Sequence, residues 1–163
     1  MADTNKLAGV VRRINSLPSF ARSKALTLLF GKAIPFTGTA GLKVESIDAN
    51  NCVITLENKR RVQNHIGGIH ACASLLLAET ATGLLAGINI PDDKVPVVKS
   101  VTANYTRRAK GDMRVVAKLT DEQRQRMLNE DKGDVDIKVT VMDSEEKIPI
   151  EVTMIWAWTP KKR

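Results

Sequence analysis

Between Ile66 and Pro91 the chain carries one Asp, Glu, Lys or Arg, and that residue is Glu79. The run is long enough to invite a membrane-spanning assignment, but His70, Ser74, Thr80, Thr82 and Asn89 interrupt it. It reads instead as a buried helix from about Ile69 to Gly87. Its apolar residues go round the whole cylinder, with Leu75, Leu76, Leu77, Leu84 and Leu85 on several faces, so other elements must wrap it. An ionised carboxylate in such surroundings is costly enough that proteins neutralise it, pair it or use it. Glu79 is therefore the first candidate for chemistry. The structural alternative is an acid held by the hydroxyls of Thr80 or Thr82.

The rest of the sequence supplies the wrapping. GLKVESI and NCVITLEN read as two short strands joined through Asp48, Ala49, Asn50 and Asn51. After Pro91 the period changes to two. Val97, Val101, Ala103 and Tyr105 alternate in one segment, and Met113, Val115, Ala117 and Leu119 in the next. A third sets Val135, Ile137, Val139 and Val141 to one side, and the last does the same with Ile148, Ile150, Val152, Met154, Trp156 and Trp158. Four such strands in succession predict an antiparallel sheet cupping the helix. Thr120 followed by Gln123 marks a capping-box start to a short exposed helix. Residues 4 to 32 predict two helical pieces broken near Pro18, with Arg12, Arg13, Arg22 and Lys24 among apolar residues. Such a segment could lie on a membrane, but packing on its own domain is the expected arrangement. The expected organisation is an α+β fold with an N-terminal helical segment, 1–36, packed on a sheet-and-helix domain, 37–163.

The 163 residues match one ordinary domain, and the excess of 25 Lys and Arg over 18 Asp and Glu gives a net charge of +7. An anionic partner fits that charge: nucleic acid, a membrane surface or a phosphorylated small molecule. Cys52 and Cys72 sit in apolar runs without a CxxC pattern, as expected of buried free thiols in a reducing cytoplasm. No basic-then-apolar leader with a small-residue cleavage site is seen at the N-terminus. His65 and His70 lack a third ligand, so no metal site is expected.

Upstream of the helix, NHIGGIH places Asn64, Gly67, Gly68 and His70 at its start. Glycines let backbone approach a ligand closely, and the first amides of a helix are unsatisfied donors suited to an oxyanion. Glu79 could then act as base or nucleophile, with Asn64 orienting a water. Positions 70 and 79 lie nine residues apart, on opposite helix faces and about 13.5 Å apart along the axis. If both groups act on one carbonyl, a second chain must supply one of them across a two-fold interface.

The spacing Asn64, Gly67, His70, Glu79, Gly83 resembles that of the hotdog-fold acyl-CoA thioesterases of the phenylacetic-acid-degradation type. YTRRAKGD at 105–112 is similar to the strand end and turn that follow in those proteins. The short helix at 121–130 and HAC in place of the usual His-Gly-Gly make the chain resemble a less characterised hotdog branch. The resemblance implies that Glu79 activates water or attacks the thioester, that the backbone amide of Ala71 after His70 receives the oxyanion, and that Asn64 holds the water. Ala71 and Cys72 replace glycines and narrow the approach; the usual acid is Asp, though other hotdog thioesterases use Glu. Ser100 or Thr102 is expected as a helper hydroxyl, with Gly67 and Gly68 lining the site. Arg61, Arg107, Arg108 and Lys110 are expected near the phosphates of coenzyme A, itself part of the substrate. The expected activity is acyl-CoA thioester hydrolysis by a cytoplasmic homodimer, possibly a dimer of dimers (homotetramer). The alternative is a non-catalytic hotdog protein that binds an acyl-CoA or acyl group. One Tyr, two Trp on an apolar strand face and no recognisable motif argue against nucleic acid.

Overall fold

A computed structural model describes residues 4–161. In chain order the elements are α1 (Lys6–Asn15), α2 (Ser19–Ala33), α3 (Pro35–Ala40), β1 (Lys43–Ile47), β2 (Asn51–Leu56), a single 3-10 turn at Arg60–Val62, and the long α4 (Ala71–Asn89). After it come β3 (Lys94–Tyr105), β4 (Met113–Lys118), α5 (Asp121–Asn129), β5 (Gly133–Asp136), β6 (Lys138–Asp143) and β7 (Ile150–Pro160). All strand pairs are antiparallel: β1, β2, β4 and β6 in that order in one sheet, and β3, β7 and β5 in the other. Together they wrap α4, which packs against β2, β3, β4, β6 and β7. The helix is long and apolar enough to cross a bilayer, but Leu77, Ala78, Ala81, Leu84, Leu85 and Ala86 are buried inside the protein.

One segment joins the two sheets. The alternation from Val135 to Val141 predicts a single strand, but the chain changes partners at the fully buried Ile137: β5 pairs with β7 and β6 with β4. Alternation continues through the switch because both halves keep the same face toward the core. Two further features are local. The Gly- and Thr-containing stretch after Pro35 forms α3, with Pro35 in its first turn and Gly41 closing it at φ 75°. In β3 a bulge at Lys99 resets the alternation: Val98 opposes Trp156, whereas Ser100 opposes Ile155. Val97 therefore lies on the face away from α4, and Val98, Val101, Ala103 and Tyr105 lie on the α4 side.

The N-terminal helices contribute Val11, Leu26 and Phe30 to the same core as the sheet residues, and α3 spans the boundary expected between residues 36 and 37. Asn5 binds α1 to the end of α4: its Oδ1 accepts from Ala8 N, and its Nδ2 donates to Gly87 O at 2.7 Å and Ile90 O at 2.6 Å. The capping box of α5 is present in full. Its last carbonyls receive the buried Lys94 ammonium, 2.8 Å from Glu130 O and within 3.2 Å of Met127 O and Leu128 O. Of the two cysteines, Cys52 is buried and its thiol is pushed up to about 12, by burial first and by the charge of Asp48 second. Cys72 departs from expectation: it is exposed in the first turn of α4.

Where α4 meets β7, Gly83 leaves room for the Trp156 ring, whose atoms lie 2.8 Å from where a Cβ would stand. The indole N–H donates to Thr82 Oγ1 at 2.9 Å in the interior. Thr82→Val keeps the shape but strands that N–H, and is expected to lower unfolding free energy by about 1–3 kcal/mol in urea titrations. An unchanged midpoint would mean that the indole finds another acceptor.

Candidate active site at the start of the long helix

The loop before α4 is held by its own asparagine. Asn64 Oδ1 accepts from Ile66 N at 3.0 Å and Gly68 N at 3.1 Å, while Asn64 N donates to Gly68 O at 2.8 Å. Gly67 at the tip has φ 77°, which explains a glycine there. Asn58 supports the loop from outside, its Nδ2 donating to Gly67 O at 3.1 Å. Asn64 Oδ1 is thus committed to the turn, and only its Nδ2 remains available to a water or ligand.

His70 is the N-cap of α4 and accepts from Cys72 N through Nδ1 at 3.1 Å. Its carbonyl receives Ala73 N at 2.9 Å and Ser74 N at 3.0 Å. Of the first four amides of the helix, three are therefore satisfied, and Ala71 N–H has no acceptor among the described residues. Ala71 lines a cavity of about 140 Å³, which Asn64, Gly68, Ser74, Tyr105, Arg107, Arg108 and Ile150 also line. Tyr105 closes the cavity by donating from its hydroxyl to Ala71 O at 2.8 Å. Sequence reasoning placed Tyr105 on a strand without a role. Its signal was that it is the only tyrosine and opens the quoted YTRRAKGD segment.

Glu79 stands eight residues further along, about 12 Å up the axis from Ala71. It is not among the residues of the cavity. It lies on a partly covered stripe of α4 with Cys72 and Leu76, whereas its neighbours Ala78, Thr80, Ala81 and Thr82 are buried. Burial raises its carboxyl above the ordinary 4.5, and the Thr80 hydroxyl offsets only part of this. Thr80 Oγ1 also lies 3.3 Å from Thr37 Oγ1, from which it can accept while its own hydrogen reaches the carboxylate, whereas Thr82 Oγ1 donates to the Ala78 and Glu79 carbonyls and does not hold it. Among the described residues Glu79 has no ion-pair partner.

The remaining expected residues divide. Ser100 and Thr102 oppose Ile155 and Thr153, which places them on the face of the sheet away from α4, off the side that carries Glu79. Arg107 is bound to Asp143 at 3.0 Å and Glu145 at 2.9 Å, and Lys110 to Glu145 at 2.7 Å. Burial pushes the Asp143 carboxyl up, but the amides of Lys110, Glu145 and Lys147 and the Arg107 guanidinium together hold it below the usual carboxylate range. Arg107 thus anchors the 105–112 turn to the β6–β7 connection. Arg108 is exposed and lines the cavity without an acidic partner among the described residues. Arg61 lies elsewhere, donating to Ala40 O at 3.1 Å beside a separate groove. No cluster of three metal-ligating side chains occurs among the described residues.

A long helix wrapped by antiparallel sheet is the expected α+β hotdog fold, and solved structures share it. A protein of unknown function from Pseudomonas aeruginosa, described as a probable thioesterase, is 24% identical, covers 89% of this chain and 97% of its own, and superposes with a TM-score of 0.76. A thioesterase from Haemophilus influenzae is similar at 16% identity over 85% of this chain and 90% of its own, with a TM-score of 0.68. A thioesterase enzyme from Staphylococcus aureus is similar at 21% identity over 77% and 99%, with a TM-score of 0.63. The likeness to these structures is one of fold and does not single out the phenylacetic-acid-degradation type. Residues 22–158 match the family described as a domain of unknown function, DUF4442, and the chain belongs to that family. No curated protein matches it.

The buried carboxyl makes a prediction about stability. A raised native value means the folded protein holds the Glu79 proton more tightly than the unfolded chain does. That contribution is fully present below the unfolded value, near pH 4.5, and is lost as pH rises through the native value. Glu79→Gln removes the ionisation, so its melting temperature is expected to exceed that of the wild type by a margin that grows from acidic to neutral pH. A margin independent of pH across that series would show that ionising Glu79 carries no burial cost.

Proposed function

We propose that the protein hydrolyses acyl-CoA thioesters at two equivalent sites formed between two copies of the chain. The observation that carries this reading is the pairing of one open helix-start amide, Ala71, with one unpaired, half-buried carboxylate, Glu79, too far apart in a single chain to meet at one carbonyl. The open side of the molecule supports the two-copy arrangement. β3 is an edge strand of twelve residues whose Val95, Val97, Val98 and Val101 are 37–46% exposed, and the Glu79 stripe of α4 lies on the same side as Val98 and Val101. A second copy laid across that edge covers both.

In this reading the Glu79 carboxylate takes a proton from water, and the oxygen of that water attacks the thioester carbonyl. The carbonyl oxygen gathers negative charge against Ala71 N–H of the neighbouring copy. The tetrahedral intermediate then collapses, the C–S bond breaks, and the thiol of coenzyme A leaves with the proton. Asn64 Nδ2 is the available donor for holding the water. His70 keeps Cys72 N–H occupied, so the acceptor meets Ala71. Arg108 is the cation of the cavity wall left open to a phosphate.

Ala71 is the first residue of α4 and follows a His70 with ψ 143°, so proline fits there and removes only the N–H. Release of coenzyme A, followed with a thiol-reactive dye across a panel of acyl-CoAs, is expected to fall about 100-fold or more in Ala71→Pro and in Glu79→Gln. Mixing the two inactive variants as dimers restores one intact site in each mixed dimer, about a quarter of wild-type activity under random exchange. Activity lost in both variants and not restored by mixing would place both groups in one chain. Tight binding of acyl-CoA with no release by the wild type would leave a binding protein instead.

The pH profile adds a second measurement. Glu79 must be ionised to act as base, so kcat/KM is expected to rise with pH through a carboxyl value above 4.5. A profile flat across that acid range would remove Glu79 as the base.

A further inference from the structure

From residue 4 to residue 44 the chain has no Asp or Glu, and it has Lys6, Arg12, Arg13, Arg22, Lys24, Lys32 and Lys43. These account for seven of the 25 basic residues. The remaining 18 balance all 18 acids, so residues 4–44 account for the whole net charge of +7, six of these cations on the helices of the N-terminal layer and Lys43 at the start of β1, paired with Glu57. The same layer exposes its largest apolar side chains: Phe20 is 80% exposed, Phe36 65% and Leu28 59%, with Leu17 and Ile34 each at 38%. Phe20, Lys24 and Leu28 follow one another at helical spacing on α2 and line a groove of about 790 Å³. Lys32, Lys43 and Arg61 stand round the same groove. Lys24 and Lys32 have no acidic partner among the described residues. The close crossing of α2 and α3 at Gly31 and Gly38 keeps Phe36 in the same helical layer, because a Cβ at Gly38 would lie 2.5 Å from Gly31 O.

We propose that this layer is a docking face for an anionic phospholipid bilayer, with Phe20, Leu28 and Phe36 entering the headgroup region and Lys24 and Lys32 facing the lipid phosphates. Protruding aromatics beside unpaired lysines match a bilayer interface, where apolar side chains insert and cations stay at the charged surface. Nucleic acid would use the cations but leave Phe20 and Phe36 in water. The face is separate from the Ala71 cavity, with which the groove shares no residue, so the proposal stands whether or not the protein is a hydrolase.

The test is co-sedimentation of the full chain with vesicles of phosphatidylcholine alone and of phosphatidylcholine mixed with phosphatidylglycerol. Binding is expected only to the mixed vesicles and is expected to weaken as salt is raised. Lys24→Glu with Lys32→Glu should reduce it by at least about 25-fold, taking about 5-fold for each cation lost at the surface. Phe20→Ser with Phe36→Ser should also reduce it while leaving binding to duplex DNA, if any, unchanged. Thermal melting, which these exposed positions should not alter, shows that the variants are folded. The proposal is overturned by failure to bind the mixed vesicles, or by equal binding of the folded variants. It is also overturned if Phe20→Ser with Phe36→Ser instead lowers the oligomeric state, because the face would then be covered by a second copy.

Discussion

The structure depends on burying α4. A nineteen-residue helix that is apolar on nearly every side cannot be covered by one neighbour, and the antiparallel sheet must curve to reach it. That requirement explains the strand switch at Ile137, which lets one segment serve both sheets. It also brings two buried polar groups to partners within the protein. Thr82 receives the Trp156 indole, and Lys94 meets three carbonyls at the end of α5. Most of the second half of the helix is covered, and Glu79 lies on a side that is only partly so.

That partly covered side connects the fold to the chemistry. A carboxylate half-buried on an apolar helix is held away from water without a compensating charge, which raises its affinity for a proton. At the start of the same helix the capping arrangement leaves one amide open. His70 satisfies three of the first four donors, through its ring and its carbonyl. Helix geometry keeps the two groups about 12 Å apart in one chain. The exposed β3 edge lies on the side where a second chain could close that distance.

Much of this was legible in the sequence because it rests on residue types close together in the chain. The solitary Glu79, the Asn-x-x-Gly-x-x-His spacing and the capping box at Thr120 each rest on neighbours within a few residues. The placement of Asn64, Gly68 and Ala71 round one cavity follows from the loop and helix start that those residues themselves build, whereas Arg108 comes to it from the turn after β3. Arg107 and Lys110 were less legible. Their positive charge was evident, but their acidic partners Asp143 and Glu145 lie more than thirty residues away, on a turn that only the fold brings near. Ser100 and Thr102 were assigned by position along a strand, and the bulge at Lys99 decides which face each occupies.

The sequence alone determined that one long apolar helix must be wrapped by alternating strands and that a single carboxylate must lie on it, because periodicity and isolation are properties of consecutive residues. Tertiary structure decided which strand each segment pairs with, which of the four amides at the helix start remains open, which cations are already neutralised and which apolar side chains stay in water. Those outcomes depend on groups distant in the chain competing for the same partners, and no local pattern records the result.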